Sequence, residues 1–232
     1  MLASGVRWAV THKVEVISIS RVITSNDLLL HQQIEAALIA DIVVVAAAGN
    51  YPKDDRVRYP AAIPGVVAVA GVDRNGNRSK HSVTGPEVLI AAPSDDISST
   101  GLNGTYTIAS GTSNATAIVA GAVALVRARY PELKATEVVR RLTATAIDKG
   151  PPGRDDEYGY GVLNLVGALT AELPSATTAG THPTASPTPT HPRPPYPEPA
   201  RFPWWLTAVL PLTAAGIAAW LWVRLRRERR PR

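Results

Sequence analysis

Two residues have the type and setting that nucleophilic chemistry needs. In GTSNATAIVAGAVALV, Ser113 opens a run that is apolar nearly all round from Ala115 to Val126, which predicts a buried central helix over 113–129, ended by Pro131. A hydroxyl there lies at the positive end of a helix macrodipole, among backbone N–H groups that have no partner within the helix. In VVVAAAGN, Asn50 follows the most apolar strand of the chain and so falls just past its C-terminal edge, the edge at which open α/β sheets bind ligands. The Asn50 carboxamide and the Ser113 N–H are the donor types that hold an oxyanion developing on an attacked carbonyl. Each residue also has a plainer reading, Ser113 as a helix cap and Asn50 as a turn residue after glycine.

A hydroxyl needs a base to become a good nucleophile. The candidates are His12 in Thr-His-Lys, His31 inside a helical pattern and His81 in Lys-His-Ser, and no motif around them marks any of the three as a base for Ser113. His182 and His191 lie in a proline-rich stretch with no neighbouring ligands. The absence of cysteine excludes thiol catalysis, thiolate metal sites and disulfides. No metal or cofactor site is expected. Residues 111–115 read Gly-Thr-Ser-Asn-Ala and not the Gly-x-Ser-x-Gly of an α/β-hydrolase elbow, and Gly159-Tyr160-Gly161 lacks the third glycine and the βα context of a dinucleotide site.

The elements that must position these groups alternate apolar runs with helical patterns, which is the signature of a largely parallel sheet. Strands are predicted at 14–20, 42–48, 66–72 and 88–92, most of them nearly continuous in Val, Ile and Ala, as strands covered on both faces are. Helices are predicted at 26–40, capped from among Ser25, Asn26 and Asp27, and at 136–146; residues 2–10 also carry a helical pattern. DRNGNR at 73–78 reads as a tight turn, with Asn75-Gly76 as the hairpin signal.

Beyond residue 173 the composition changes twice. Residues 174–203 hold ten prolines among Ser and Thr, too polar and too proline-rich to bury a core, and read as an extended linker or stalk. Residues 204–223, WWLTAVLPLTAAGIAAWLWV, carry no charge and at about 1.5 Å per residue span a hydrocarbon layer of roughly 30 Å. Tryptophans at both ends and the arginines beyond predict a transmembrane helix with residues 224–232 as a basic cytoplasmic tail and the 1–173 domain outside the membrane. The six arginines and Glu228 of that tail account for the whole formal charge of +5, so residues 1–223 are neutral and no nucleic-acid partner is expected.

Taken together and in order, these motifs resemble the C-terminal part of a subtilisin-family serine protease catalytic domain over residues 4–170. SGVRWAVTHKVEVISIS looks like the family's helix and substrate-side strand, and VVVAAAGN like the strand ending in its oxyanion asparagine. YPAAIPGVVAVAGVDRNGNRSKHSVTGPEVLIAAPSDDISST looks like its long segment of paired strands, GTSNATAIVAGAVALV like its nucleophile motif and YGYGVLNLVGAL like its closing strand and helix. The resemblance implies an α/β fold with a largely parallel sheet and helices on both faces. It makes Ser113 the acylating nucleophile, Asn50 the side-chain oxyanion donor and a protein or peptide the substrate. With the stalk, membrane helix and arginine tail, the chain looks like a mycosin, the membrane-anchored subtilisin relative associated with type VII secretion in actinobacteria, which adds secretion-system components as partners.

The departures are as informative. The Asp-(Thr/Ser)-Gly and His-Gly-(Thr/Ser) motifs that bring the family's acid and base occur nowhere in the chain. Arg21 and Val22 stand where the family usually has glycine beside the substrate, and Ala117 replaces a proline of the nucleophile motif. The N-terminal part of the domain and an export signal are absent, so a truncated or mis-started chain that is inactive as it stands is expected. The alternative is a catalytically dead pseudoprotease or remnant that keeps the scaffold and anchor and works by binding.

Overall fold

The computed structural model describes residues 1–173. The stalk, membrane helix and tail expected at 174–232 lie outside the described residues. Among those described, no helix is long and apolar enough to cross a membrane.

Four strands, β1 (Val16–Ile19), β2 (Val43–Ala47), β3 (Val67–Val72) and β4 (Val88–Pro93), form one sheet in chain order, every neighbouring pair parallel. β2 and β3 are buried at every position, as their unbroken Val and Ala runs require. Alternate side chains feed opposite cores. Val44, Ala46, Ala68 and Ala70 pack toward helices α1 (Leu2–Thr11) and α2 (Leu28–Ile39). Val43, Val45, Val67 and Val69 pack toward α3 (Thr112–Arg129), α4 (Ala135–Ala144) and α5 (Leu165–Thr170). A buried Val contributes about 1.5–3 kcal/mol, and a one-residue slip would exchange the two faces, so the register is strongly specified. The sheet is thus α/β with helices on both faces.

Local chemistry sets the ends. Asp27 caps α2, its carboxylate accepting the Leu30 N–H at 2.8 Å. In the 73–77 turn the Asp73 carboxylate accepts the N–H groups of Asn75 and Asn77, and only Gly76 of the Asn-Gly pair has positive φ, at 77°. Those amides, that of Asn77 foremost, hold the Asp73 carboxyl below the usual carboxylate range against the opposing effect of desolvation. At the opposite end of the sheet Asp41 accepts from Arg127 at 3.2 Å and from the Ala135 N–H at 2.8 Å, tying the entry of β2 to α3 and α4.

One expectation is corrected. α3 is not buried all round: Ala117, Ile118, Gly121, Ala124 and Leu125 form an exposed stripe, while Ala115, Val119, Ala122, Val123 and Val126 face the sheet. Ala117, Gly121 and Ala124 carry so little apolar area that they are tolerated on either face, and with the exposed Ile118 and Leu125 among them the run reads as buried on every side. The structure also adds a two-stranded antiparallel hairpin, β5 (Ile97–Thr100) and β6 (Tyr106–Ala109), immediately before α3. Its residues are almost all exposed and rich in Ser and Thr, which is why no burial pattern announced it.

Candidate active site

Parallel strands end their C-terminal edges on one side of the sheet, so the loops after β1 and β2 and the start of α3 meet there. Asn50 stands three residues beyond β2. The carbonyl of Asn50 accepts the Asp54 N–H and the Asp54 carboxylate accepts the Asn50 N–H, both at 2.9 Å, closing a small ring around the turn. Asp54 is 2% exposed and its other oxygen pairs with Arg58 at 3.5 Å. Neighbouring Asp55 is held below the usual carboxylate range, first by the hydrogen bond from Arg56 and then by the charges of Arg56 and Arg58, against a desolvation effect that opposes them.

The Asn50 carboxamide is aimed at α3. Its Oδ1 accepts the Thr112 N–H at 2.9 Å and the Thr112 hydroxyl at 3.2 Å. A backbone N–H can only donate, so the amide's orientation is settled: oxygen toward Thr112, Nδ2 turned away and without a protein partner among the described residues. The approach is close enough to demand glycine at 111. Gly111 adopts φ 152° and ψ 156°, and a Cβ there would lie 3.2 Å from Asn50 Oδ1.

Ser113 is the second residue of α3, adjacent to Thr112, so its N–H belongs to the first turn and lacks an intrahelical acceptor. Its hydroxyl donates to the Ser20 carbonyl at 3.0 Å, and the Ser20 hydroxyl donates back to the Ser113 carbonyl at 3.0 Å. This reciprocal pair joins residues 93 apart in sequence and latches the end of β1 onto the first turn of α3. On the other side, Asn114 Nδ2 donates to the carbonyls of Ser94 and Ala109, at 3.2 and 2.8 Å. The structure therefore brings Asn50 and Ser113 to one place, each held from more than one direction.

No histidine among the described residues joins them. His12 stacks on Trp8 with ring centroids 3.8 Å apart and bonds the Trp8 carbonyl, and His31 pairs with Glu35 at 3.3 Å on the surface of α2. His81 enters the site's framework only through its backbone, its carbonyl accepting the Tyr51 N–H at 2.9 Å. His182 and His191 lie outside the described residues. The hydroxyl of Ser113 thus has a carbonyl for its partner, and a carbonyl cannot take its proton. Among the described residues no group of three or more His, Asp or Glu side chains is placed to hold a metal.

Sequence reasoning missed Ser20, Asp54, Ser94 and Asn114. Ser20 and Ser94 left a faint signal, polar residues directly beyond apolar strands; Asp54 and Asn114 left none, because they bond main-chain groups and follow no apolar run.

Comparison with known proteins gives this geometry its context. The model of the subtilase family matches residues 1–161. A thermostable alkaline protease of Halalkalibacterium halodurans is 39% identical over 163 residues, covering 70% of this chain and 44% of that protein. Subtilisin DY of Bacillus licheniformis is 39% identical over 170 residues, covering 72% of this chain and 61% of its own length. Among solved structures, MycP1 from the ESX-1 type VII secretion system is 31% identical with a TM-score of 0.68, over 75% of this chain and 56% of that one. The prenylagaramide maturation protease PagA is 28% identical with a TM-score of 0.65, over 72% and 65%. The chain spans about half of the curated relatives it matches, between 44% and 61% of these two.

Proposed function

The chain belongs to the subtilase family, and from that premise we propose that Ser113 is the nucleophile of a serine endopeptidase, with Asn50 Nδ2 and the Ser113 N–H as its oxyanion donors. The observation that supports this reading is the Asn50 carboxamide, whose oxygen accepts the N–H of Thr112, the residue before Ser113, and so leaves its Nδ2 as a donor for an oxyanion. Attack of Ser113 Oγ on a peptide carbonyl would form a tetrahedral oxyanion. Asn50 Nδ2 and the Ser113 N–H would stabilise that charge, and collapse, with a proton delivered to the nitrogen, would release the amine and leave an acyl-enzyme for water to hydrolyse.

The proton of Ser113 must go to a base, which then passes it to the leaving amine, and a carboxylate must hold that base in the right orientation. Residues 1–173 supply neither beside Ser113, so this chain alone hydrolyses peptides slowly or not at all, and full activity needs both groups from other residues. The same observation favours the second reading, a scaffold that has kept the fold and lost the reaction. Anchoring completes the proposal: the uncharged 204–223 segment spans a membrane, 174–203 lifts the domain off it outside the cytoplasm, and the arginine tail stays inside. The MycP1 relatives, which belong to a type VII secretion system, support a place beside secretion components.

The test is fluorophosphonate labelling with peptide mapping. Slow labelling confined to Ser113, lost in Ser113→Ala and reduced in Asn50→Ala, is expected. For the second change the scale is about 10²- to 10³-fold, the value known for subtilisin itself and carried over rather than worked from this geometry. Labelling spread over other serines would overturn the site, and labelling as fast as an intact protease would overturn the inactivity. Retention of bound proteins by Ser113→Ala, together with no labelling of the parent, would favour the scaffold reading.

A further inference from the structure

One carboxylate outside the chemistry reaches both halves of the site. Asp95 follows β4, and its Oδ1 accepts two hydroxyls, that of Ser79 at 2.7 Å and that of Ser94 at 2.8 Å. Both serines are buried, at 1% exposure each. Buried hydroxyls keep their partners, so these two bonds are strongly held.

From Asp95 two arms lead away. Along the first, the Ser79 hydroxyl accepts the His81 N–H at 3.1 Å, and the His81 carbonyl accepts the Tyr51 N–H at 2.9 Å, the residue next to Asn50. Along the second, the Ser94 carbonyl accepts the Gly111 N–H at 3.0 Å and Asn114 Nδ2 at 3.2 Å, on either side of Thr112 and Ser113. Ser94 itself is seated where no larger neighbour would fit: a Cβ on Gly71 would lie 2.3 Å from Ser94 Oγ. The turn carrying Asn50 and the turn carrying Ser113 therefore meet at a single acceptor atom.

We infer that Asp95 is a positioning residue that sets the distance between Asn50 and Ser113 by holding Ser79 and Ser94 at once. Its functional consequence rests on the reading of Ser113 and Asn50 above; its structural consequence does not. Both donors are neutral hydroxyls, so what matters is an acceptor oxygen and not the negative charge, and asparagine, whose amide oxygen accepts in the same place, replaces Asp95 where alanine does not.

Amide hydrogen exchange on the full chain tests the two arms without any need for activity. Asp95→Ala is expected to speed exchange at both Tyr51 and Gly111 by about tenfold or more while leaving Val138 in α4 unchanged, and Asp95→Asn to restore both. Ser79→Ala should move Tyr51 alone and Ser94→Ala Gly111 alone, and these single-arm variants decide the matter if Asp95→Ala does not fold. In the same proteins, fluorophosphonate labelling of Ser113 should fall about 10- to 100-fold in Asp95→Ala and recover in Asp95→Asn, since small misplacements of reacting groups cost that much. Exchange that changes on one arm only in Asp95→Ala, or that asparagine fails to restore, overturns the inference. If the parent is never labelled, the protease reading fails while the exchange result still decides the role of Asp95.

Discussion

Gly111→Ala probes the contact on which the candidate site depends. The residue holds φ 152° and ψ 156°, a region that residues with a Cβ adopt at a cost of about 1–3 kcal/mol. The new Cβ would stand 3.2 Å from Asn50 Oδ1 and 3.6 Å from Nδ2, so the carboxamide must also retreat. Retreat stretches the 2.9 Å bond from Thr112 N–H, worth about 0.5–1.5 kcal/mol. Together the change should destabilise the protein by about 2–4 kcal/mol, read as a lower urea midpoint at constant slope. The two parts separate in a cycle with Asn50→Ala. In that background no carboxamide is displaced, so the cost of Gly111→Ala should shrink by about 1 kcal/mol while the backbone share persists. Labelling of Ser113 should fall with the single change. A destabilisation below about 0.5 kcal/mol, or a cost unaltered by Asn50→Ala, would refute the account of why glycine stands at 111.

Three further outcomes follow from other parts of the molecule. Burial pushes the Asp41 carboxyl up, but the Ala135 amide and Arg127 outweigh it and leave the group below its ordinary value, so its folded pKa lies under the unfolded one. Its stabilising effect is complete above the unfolded value of about 4 and drains as pH falls through the lower folded value; Asp41→Asn should flatten that part of the acid denaturation curve. Asp54→Ala removes the acceptor of the Asn50 N–H and the partner of Arg58, whose side chain is only 18% exposed, and should cost about 3 kcal/mol in urea unfolding, the low end for a broken buried pair because Asp55 still reaches Arg58 at 2.9 Å. Gly159→Ala would place a Cβ 2.3 Å from the Leu89 carbonyl at a φ of 65°, and should lower the thermal midpoint by at least what about 2 kcal/mol produces.

How much was legible depended on whether burial left a mark in residue type. β1 to β4 were readable because strands covered on both faces need unbroken apolar runs, and each observed strand falls within or one residue beyond its predicted span. Asp27 was readable as a cap because only a short polar side chain can reach back to the Leu30 N–H. The exposed stripe of α3 was not, since small side chains look alike on either face, and neither was the β5–β6 hairpin, whose solvent-facing serines and threonines follow no alternation. Of the site, Ser113 and Asn50 stood out through helix start, strand end and family resemblance. Their supports did not: Ser20, Asp95 and Asn114 act on groups between 16 and 93 residues away or on main-chain atoms, and neither kind of bond has a local pattern.

The order of elements along the chain has a temporal meaning. α3 packs across all four strands of the sheet yet comes after every one of them, and its first turn is pinned by Ser20 from the end of β1 and by Asn50 from beyond β2. A ribosome delivers the nucleophile candidate only when its whole platform has already emerged. Until α3 docks, Ser113 is an ordinary alcohol on a loose segment, so the nascent molecule passes through that stage of synthesis with nothing in place that could attack its own backbone.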